Sequence, residues 1–114
     1  MSKRILKLNE LLKRELGQIF LKEIDFPKGV LVTITEVSTS ANLSEARIKI
    51  SVMPKKETNR IMMILNEQIY NLQQMINRRL RMRPIPKIRF QEEKRTGQAA
   101  RIEELLEKLR KEKK

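Results

Sequence analysis

Cysteine, histidine and tryptophan are absent from this chain, and Asp25 is its only aspartate. Without cysteine there is no disulfide scaffold, no thiolate metal site and no thiol nucleophile. Without histidine the commonest general base is missing. One aspartate cannot build an Asp-x-Asp metal cluster. The three glycines, Gly17, Gly29 and Gly97, lie too far apart for a phosphate-cradling loop, and neither G-x-x-x-x-G-K-[ST] nor G-x-G-x-x-G occurs. Glu92–Glu93 and Glu103–Glu104 are adjacent carboxylates and read as solvated surface, not as a pair held across a cleft. We therefore expect no metal, no cofactor, no small-molecule substrate and no enzymatic activity. Aromatic residues are also scarce (Phe20, Phe26, Phe90 and Tyr70), which leaves few platforms for stacking bases. No apolar run approaches the roughly 18 residues of a membrane helix. The opening MSKRILKLNELLKREL is charged every few residues, unlike the apolar centre of a signal peptide. A reducing, cytoplasmic location is expected.

What the chain has in excess is positive charge. Twenty-six Lys and Arg against 14 acidic residues give +12 over 114 residues. Solubility of a small domain needs a magnitude of only about 2–8. A small domain this basic is built to meet a polyanion, because neutralising phosphates releases condensed counterions. The length fits one domain.

Hydrophobic periodicity orders the elements. Ile5, Leu8, Leu12, Leu16 and Ile19 share one narrow arc of a helix, with Lys3, Lys7, Glu10 and Arg14 on the opposite side. DFPKG closes that helix near Glu23 to Asp25. Val30 to Val37, VLVTITEV, is β-branched and predicts a strand. After the polar connection STSANLS, EARIKISV alternates with period two. Ala46, Ile48, Ile50 and Val52 form its buried face, and Arg47, Lys49 and Ser51 its wet one. PKKETN offers Thr58 or Asn59 as an N-cap. One long helix is then expected to about Leu80, with Ile61, Leu65, Ile69, Leu72, Ile76 and Leu80 along its apolar stripe. Pro84 and Pro86 lead into a short edge strand with Ile88 and Phe90 inward and Lys87 and Arg89 outward. Beyond Gly97, Ile102, Leu105, Leu106 and Leu109 predict a last helix and a basic tail. The expected architecture is α+β, a three-stranded mixed sheet covered on one face by helices.

The densest basic stretch is RRLRMRPIPKIRF, Arg78 to Phe90, with four arginines in its first six residues. Cations suit the negative end of a helix, at about 0.3–1 kcal/mol each, but that does not account for Lys87 and Arg89. Arg79 falls at the edge of the apolar stripe, so its stem is expected to lie along the core. The others, Arg78, Arg81 and Arg83 together with Arg47, Lys49, Lys87 and Arg89, are expected to converge on one phosphate-tracking patch.

Three strings resemble the ribosome-binding factor A family of small-subunit maturation proteins. VLVTITEVSTSANLSEARIKISV carries Leu43 and Ala46 before the second strand. RLRMRPIPKIRF carries Arg81, Arg83, Pro86 and Phe90. ARIEELLEKL carries Arg101, Ile102, Leu105 and Leu106. The resemblance implies a type II KH-like domain over residues 1–96, in the order α-β-β-α-α-β, with a C-terminal amphipathic helix and basic tail over 97–114. It implies a monomer that binds the free 30S subunit and its 16S rRNA and supports late maturation, 5′-end processing and growth in the cold. The RNA-binding set is then Lys3, Arg4, Lys7, Arg14, Arg47, Lys49, Arg78, Arg79, Arg81, Arg83, Lys87 and Arg89. Gln68-Ile69-Tyr70 stands where the family more often has Ala-x-Gly, so a milder or shifted kink is expected in the long helix. No G-x-x-G loop is present for gripping single strands. The rival readings are a generic basic nucleic-acid-binding module, an anionic-membrane-surface binder through the first helix, and a small nuclease.

Overall fold

A computed structural model describes residues 2–93 of the chain. The helix expected after Gly97 and the boundary at residue 97 lie outside the described residues. The observed order is α1 (Lys3–Glu23), β1 (Leu31–Thr39), β2 (Glu45–Met53), α2 (Thr58–Glu67), α3 (Ile69–Arg79) and β3 (Lys87–Glu92). The sheet order is β1-β2-β3, with β2 antiparallel to β1 and parallel to β3. This is the mixed three-stranded α+β arrangement that the residue pattern predicts.

The first helix starts at Ser2, whose hydroxyl accepts from the Ile5 amide at 3.2 Å and satisfies one orphan donor of the first turn. Leu8, Leu12, Leu16, Ile19 and Phe20 are its buried residues. The chain turns at Gly29, which takes φ +79° in the left-handed region. The buried side of β2, Ala46, Ile48, Ile50 and Val52, forms the floor of the core. Ile61 and Leu65 from α2, Leu72 and Ile76 from α3, Leu80 and Ile88 complete it.

Two details depart from the sequence expectations, and a third bears out the divided helix that the resemblance implies. First, β1 does not alternate evenly. The register with β2 slips between Ile34 and Glu36, leaving Thr35 as an extra residue whose hydroxyl donates to the Lys49 carbonyl at 3.3 Å. This β-bulge moves the inward side from even to odd positions, so Ile34, Val37 and Thr39 are all buried. Buried Thr39 donates its hydroxyl to Asn9 of α1 at 2.6 Å. Second, the helix after Pro54 has no side-chain N-cap. A 3-10 turn, Lys55–Glu57, runs straight into it, and the Thr58 hydroxyl donates back to the Lys55 carbonyl at 2.7 Å. The turn already orders the backbone that a capping side chain would have held. Third, the long helix divides at Gln68, with φ −93° and ψ 2°. The ladder persists across the break, since the Gln68 amide donates to Ile64 and the Leu72 amide to Gln68. The break therefore costs little hydrogen bonding and falls on Gln68, within the stretch where the resemblance placed it.

One side chain fastens the crossover to the last strand. Gln73 of α3 donates to the Pro86 carbonyl at 3.2 Å and accepts from the Ile88 amide at 2.8 Å. These are outward backbone groups of an edge strand that no neighbouring strand reaches. Gln73→Ala should leave both without a protein partner and lower unfolding free energy by about 1–3 kcal/mol. Urea denaturation of the purified variant measures this, and an unchanged midpoint would show that water replaces the amide fully.

Candidate nucleic-acid interface

The predicted basic residues do not converge on one patch. The sheet stands between two groups of them. Along α1, the buried Leu8, Leu12, Leu16 and Ile19 face the sheet, so Lys3, Lys7 and Arg14, within about 40° of one another on the far side of the helix, face away from it. Arg78 at the end of α3 is exposed, while Ile76 of the same turn is buried. By contrast, Arg47 and Lys49 on β2 and Lys87 and Arg89 on β3 alternate with inward residues and occupy the opposite, open face of the sheet. Of the seven residues expected on one patch, the four strand cations share a face, and Arg78 at the end of α3 lies on the other side of the layer. Arg81 and Arg83 lie in the connection between α3 and β3.

The two groups differ in their counter-charges. On the open face, pairing sets Ser38, Arg47 and Arg89 in one row and Glu36, Lys49 and Gln91 in the next. Glu45, in register with Lys87, reaches Arg47 with one carboxylate oxygen at 3.7 Å and Arg89 with the other at 3.6 Å. Glu36 holds the Lys49 ammonium at 3.2 Å. Three of the four cations on this face are thus paired internally. On the helix side, Lys3, Arg4, Lys7 and Arg78 have no carboxylate within 4.0 Å among the described residues.

Two of the predicted arginines have structural roles. Arg79 of α3 donates to Glu15 at 3.0 Å and to Gln18 at 3.2 Å, tying α3 to α1. Arg83 donates to the carbonyls of Leu80 and Met82 at 3.2 and 2.9 Å and holds the turn after α3. Arg81 has no such partner among the described residues. At the β1–β2 end, Ser40, Asn42 and Ser44 form a closed hydrogen-bonded turn around Leu43 at φ 61°. Sequence reading missed Glu45 as a counter-charge, although its position two residues before Arg47 on a strand places both on one face. It missed Glu36 for a better reason: the bulge sets that residue beside Lys49. Among the described residues no cluster of three or more Asp or Glu could hold a metal ion.

Comparison with known proteins places this geometry. The family model described as ribosome-binding factor A matches residues 4–106. A ribosome-binding factor A from Chlorobium phaeovibrioides is 38% identical over 98% of this chain and 96% of its own length. One from Akkermansia muciniphila is 31% identical over 96% and 86%. Among solved structures, the crystal structure of ribosome-binding factor A from Thermus thermophilus matches with a TM-score of 0.66 at 24% identity, covering 77% of this chain and 93% of that one. A homology model of the Thermus thermophilus factor, fitted into an electron-microscopy map of its complex with the 30S subunit, matches at 0.61, with 24% identity over 75% and 90%. A solution structure from Thermotoga maritima, described as a putative ribosome binding factor A, matches at 0.59, with 26% identity over 82% and 86%.

Arg79→Ala should act on the fold more than on any ligand. Removing the guanidinium strips Glu15, whose side chain is 18% exposed, of its closest partner and should lower stability by about 1 kcal/mol. Thermal unfolding tests this, and a wild-type melting temperature would remove the structural role.

Proposed function

The chain belongs to the ribosome-binding factor A family, and on that premise we propose that it binds the free small ribosomal subunit through 16S rRNA late in assembly. The observation that carries the proposal is near full-length family membership joined to a surplus of +12 charges. In the related Thermus thermophilus factor, the homology model was fitted into a map of a 30S complex. The present chain acts in the same way, as a cytoplasmic, monomeric, non-catalytic binder that supports 5′-end maturation of precursor rRNA and growth in the cold. Residues 1–96 are the RNA-binding unit, and residues 97–114 are an amphipathic helix with a basic tail. The reading of RNA is by shape and backbone, since aromatic platforms are few and no G-x-x-G loop is present.

A membrane-surface role finds less support. The apolar arc of α1 that such binding needs is spent in the core, with Leu12, Leu16 and Ile19 fully buried. No helix among the described residues is long and apolar enough to cross a membrane.

Purified protein should pellet with free small subunits in preference to large subunits or whole ribosomes, and the bound fraction should fall steeply as salt rises. Equal, weak pelleting with all three would overturn the proposal. Cells lacking the protein should accumulate precursor 16S rRNA and grow poorly in the cold. Normal 5′ ends at low temperature would remove the maturation role.

A further inference from the structure

We infer that this protein engages the rRNA phosphate backbone with the outward side of its α1–α3 layer, and that the open face of its sheet is kept from competing by its own carboxylates. The inference rests on the proposed rRNA binding and adds which surface performs it.

Phosphate binding requires cations whose charge is available. On the sheet, Glu45 is shared between Arg47 and Arg89 at 3.7 and 3.6 Å, and Glu36 occupies Lys49 at 3.2 Å. A phosphate approaching there must displace a carboxylate or bear its repulsion, and either cancels much of the Coulombic gain. Lys87 is the remaining unpaired cation of that face among the described residues.

The helix side is organised differently. Lys3, Lys7 and Arg14 run along the exposed side of α1, spanning about 16 Å at 1.5 Å per residue. Arg4, Leu11 and Gln18 are seven residues apart in sequence and share a flank of α1. Gln18 is met by Arg79, so this flank faces α3. Arg4 lies on that flank about 21 Å along α1 from Gln18, and Arg78 is exposed at the end of α3 that meets Gln18. Glu10 and Glu15 are the acidic residues of this side. Glu15 is engaged at 3.0 Å by Arg79 and at 3.7 Å by Arg14. Glu10 shares the exposed side of Lys7 and Arg14, but among the described residues no carboxylate lies within 4.0 Å of Lys3, Arg4, Lys7 or Arg78. The tie that consumes Glu15 also fixes the two helices side by side, so the free cations lie on rigid elements instead of loops. The partner this fits is a duplex RNA backbone, wide and regular enough to lie along two adjacent helices, and it needs neither aromatic stacking nor a glycine loop.

Two charge-matched variants test the assignment. One carries Lys3→Gln, Arg4→Gln, Lys7→Gln and Arg78→Gln. The other carries Arg47→Gln, Lys49→Gln, Lys87→Gln and Arg89→Gln. Each removes four positive charges, and circular dichroism with thermal unfolding checks that both fold. Binding is measured across a salt series to free small subunits and, separately, to a short RNA hairpin of arbitrary sequence. The helix-side variant should lose about tenfold or more in affinity for both, and its log–log salt slope should shrink by roughly 3. The sheet variant should stay within about threefold of wild type, because three of the four charges it removes already face the carboxylates of Glu45 and Glu36. Glu45→Gln should strengthen binding to the hairpin by freeing Arg47 and Arg89.

Equal losses in the two quadruple variants, or a larger loss in the sheet variant, would overturn the inference. Failure of the wild type to prefer small subunits would instead overturn the proposed function, and the hairpin data would still decide which face meets phosphate.

Discussion

The burial of one side of β2 is the constraint on which the remaining elements depend. This strand pairs with both neighbours, antiparallel on one side and parallel on the other, and its Ala46, Ile48, Ile50 and Val52 are all buried. Because side chains alternate across a strand, burying those four commits Arg47, Lys49 and Ser51 to the opposite face. The parallel pairing with β3 needs a crossover, and the crossover has to lie on the buried side to cover the aliphatic floor. Helices and strand cations are thereby placed on opposite sides of the sheet by the same alternation that makes the core.

That separation gives the charge of the molecule a direction. The helix side carries Lys3, Arg4, Lys7 and Arg78 with no carboxylate within 4.0 Å among the described residues. The sheet side sets two glutamates from within the same sheet against three of its four cations. A protein with this surplus of positive charge would otherwise adhere to any polyanion in any orientation. The exposed ion pairs on the sheet contribute little to stability, since such pairs are worth about 0–1 kcal/mol. Their effect lies in what they withhold from solvent.

Much of this was legible in the sequence. The period-two run of β2, the β-branched content of β1 and the apolar arc of α1 each matched a single element type, so those elements and their buried faces were readable. The mixed sheet followed from two strands close in sequence and a third beyond a long helical stretch. The division of that stretch at Gln68 was not readable from periodicity, because Ile61, Leu65, Leu72 and Ile76 keep helical spacing straight across it; only the family resemblance indicated it. The bulge at Thr35 was hidden because VTITEV suits a regular strand equally well. Individual cations were found, but their partners were not. Arg79 meets Glu15 across 64 positions of sequence, and no local pattern encodes such a pairing.

Gln73 and Thr35 together decide where the sheet stops. An open strand edge presents a row of unpaired amides and carbonyls, and an identical edge on another copy of the chain is its readiest complement. Here β3 spends its Pro86 carbonyl and Ile88 amide on the Gln73 side chain, and Pro84 and Pro86 have no amide hydrogen to offer. On the other flank, the bulge at Thr35 interrupts the regular repeat of β1. Both margins of the sheet are spoiled as templates, by a side-chain amide at one and an irregular backbone at the other. The sheet of a strongly basic chain is thus poorly suited to stacking edge to edge into larger sheets of itself.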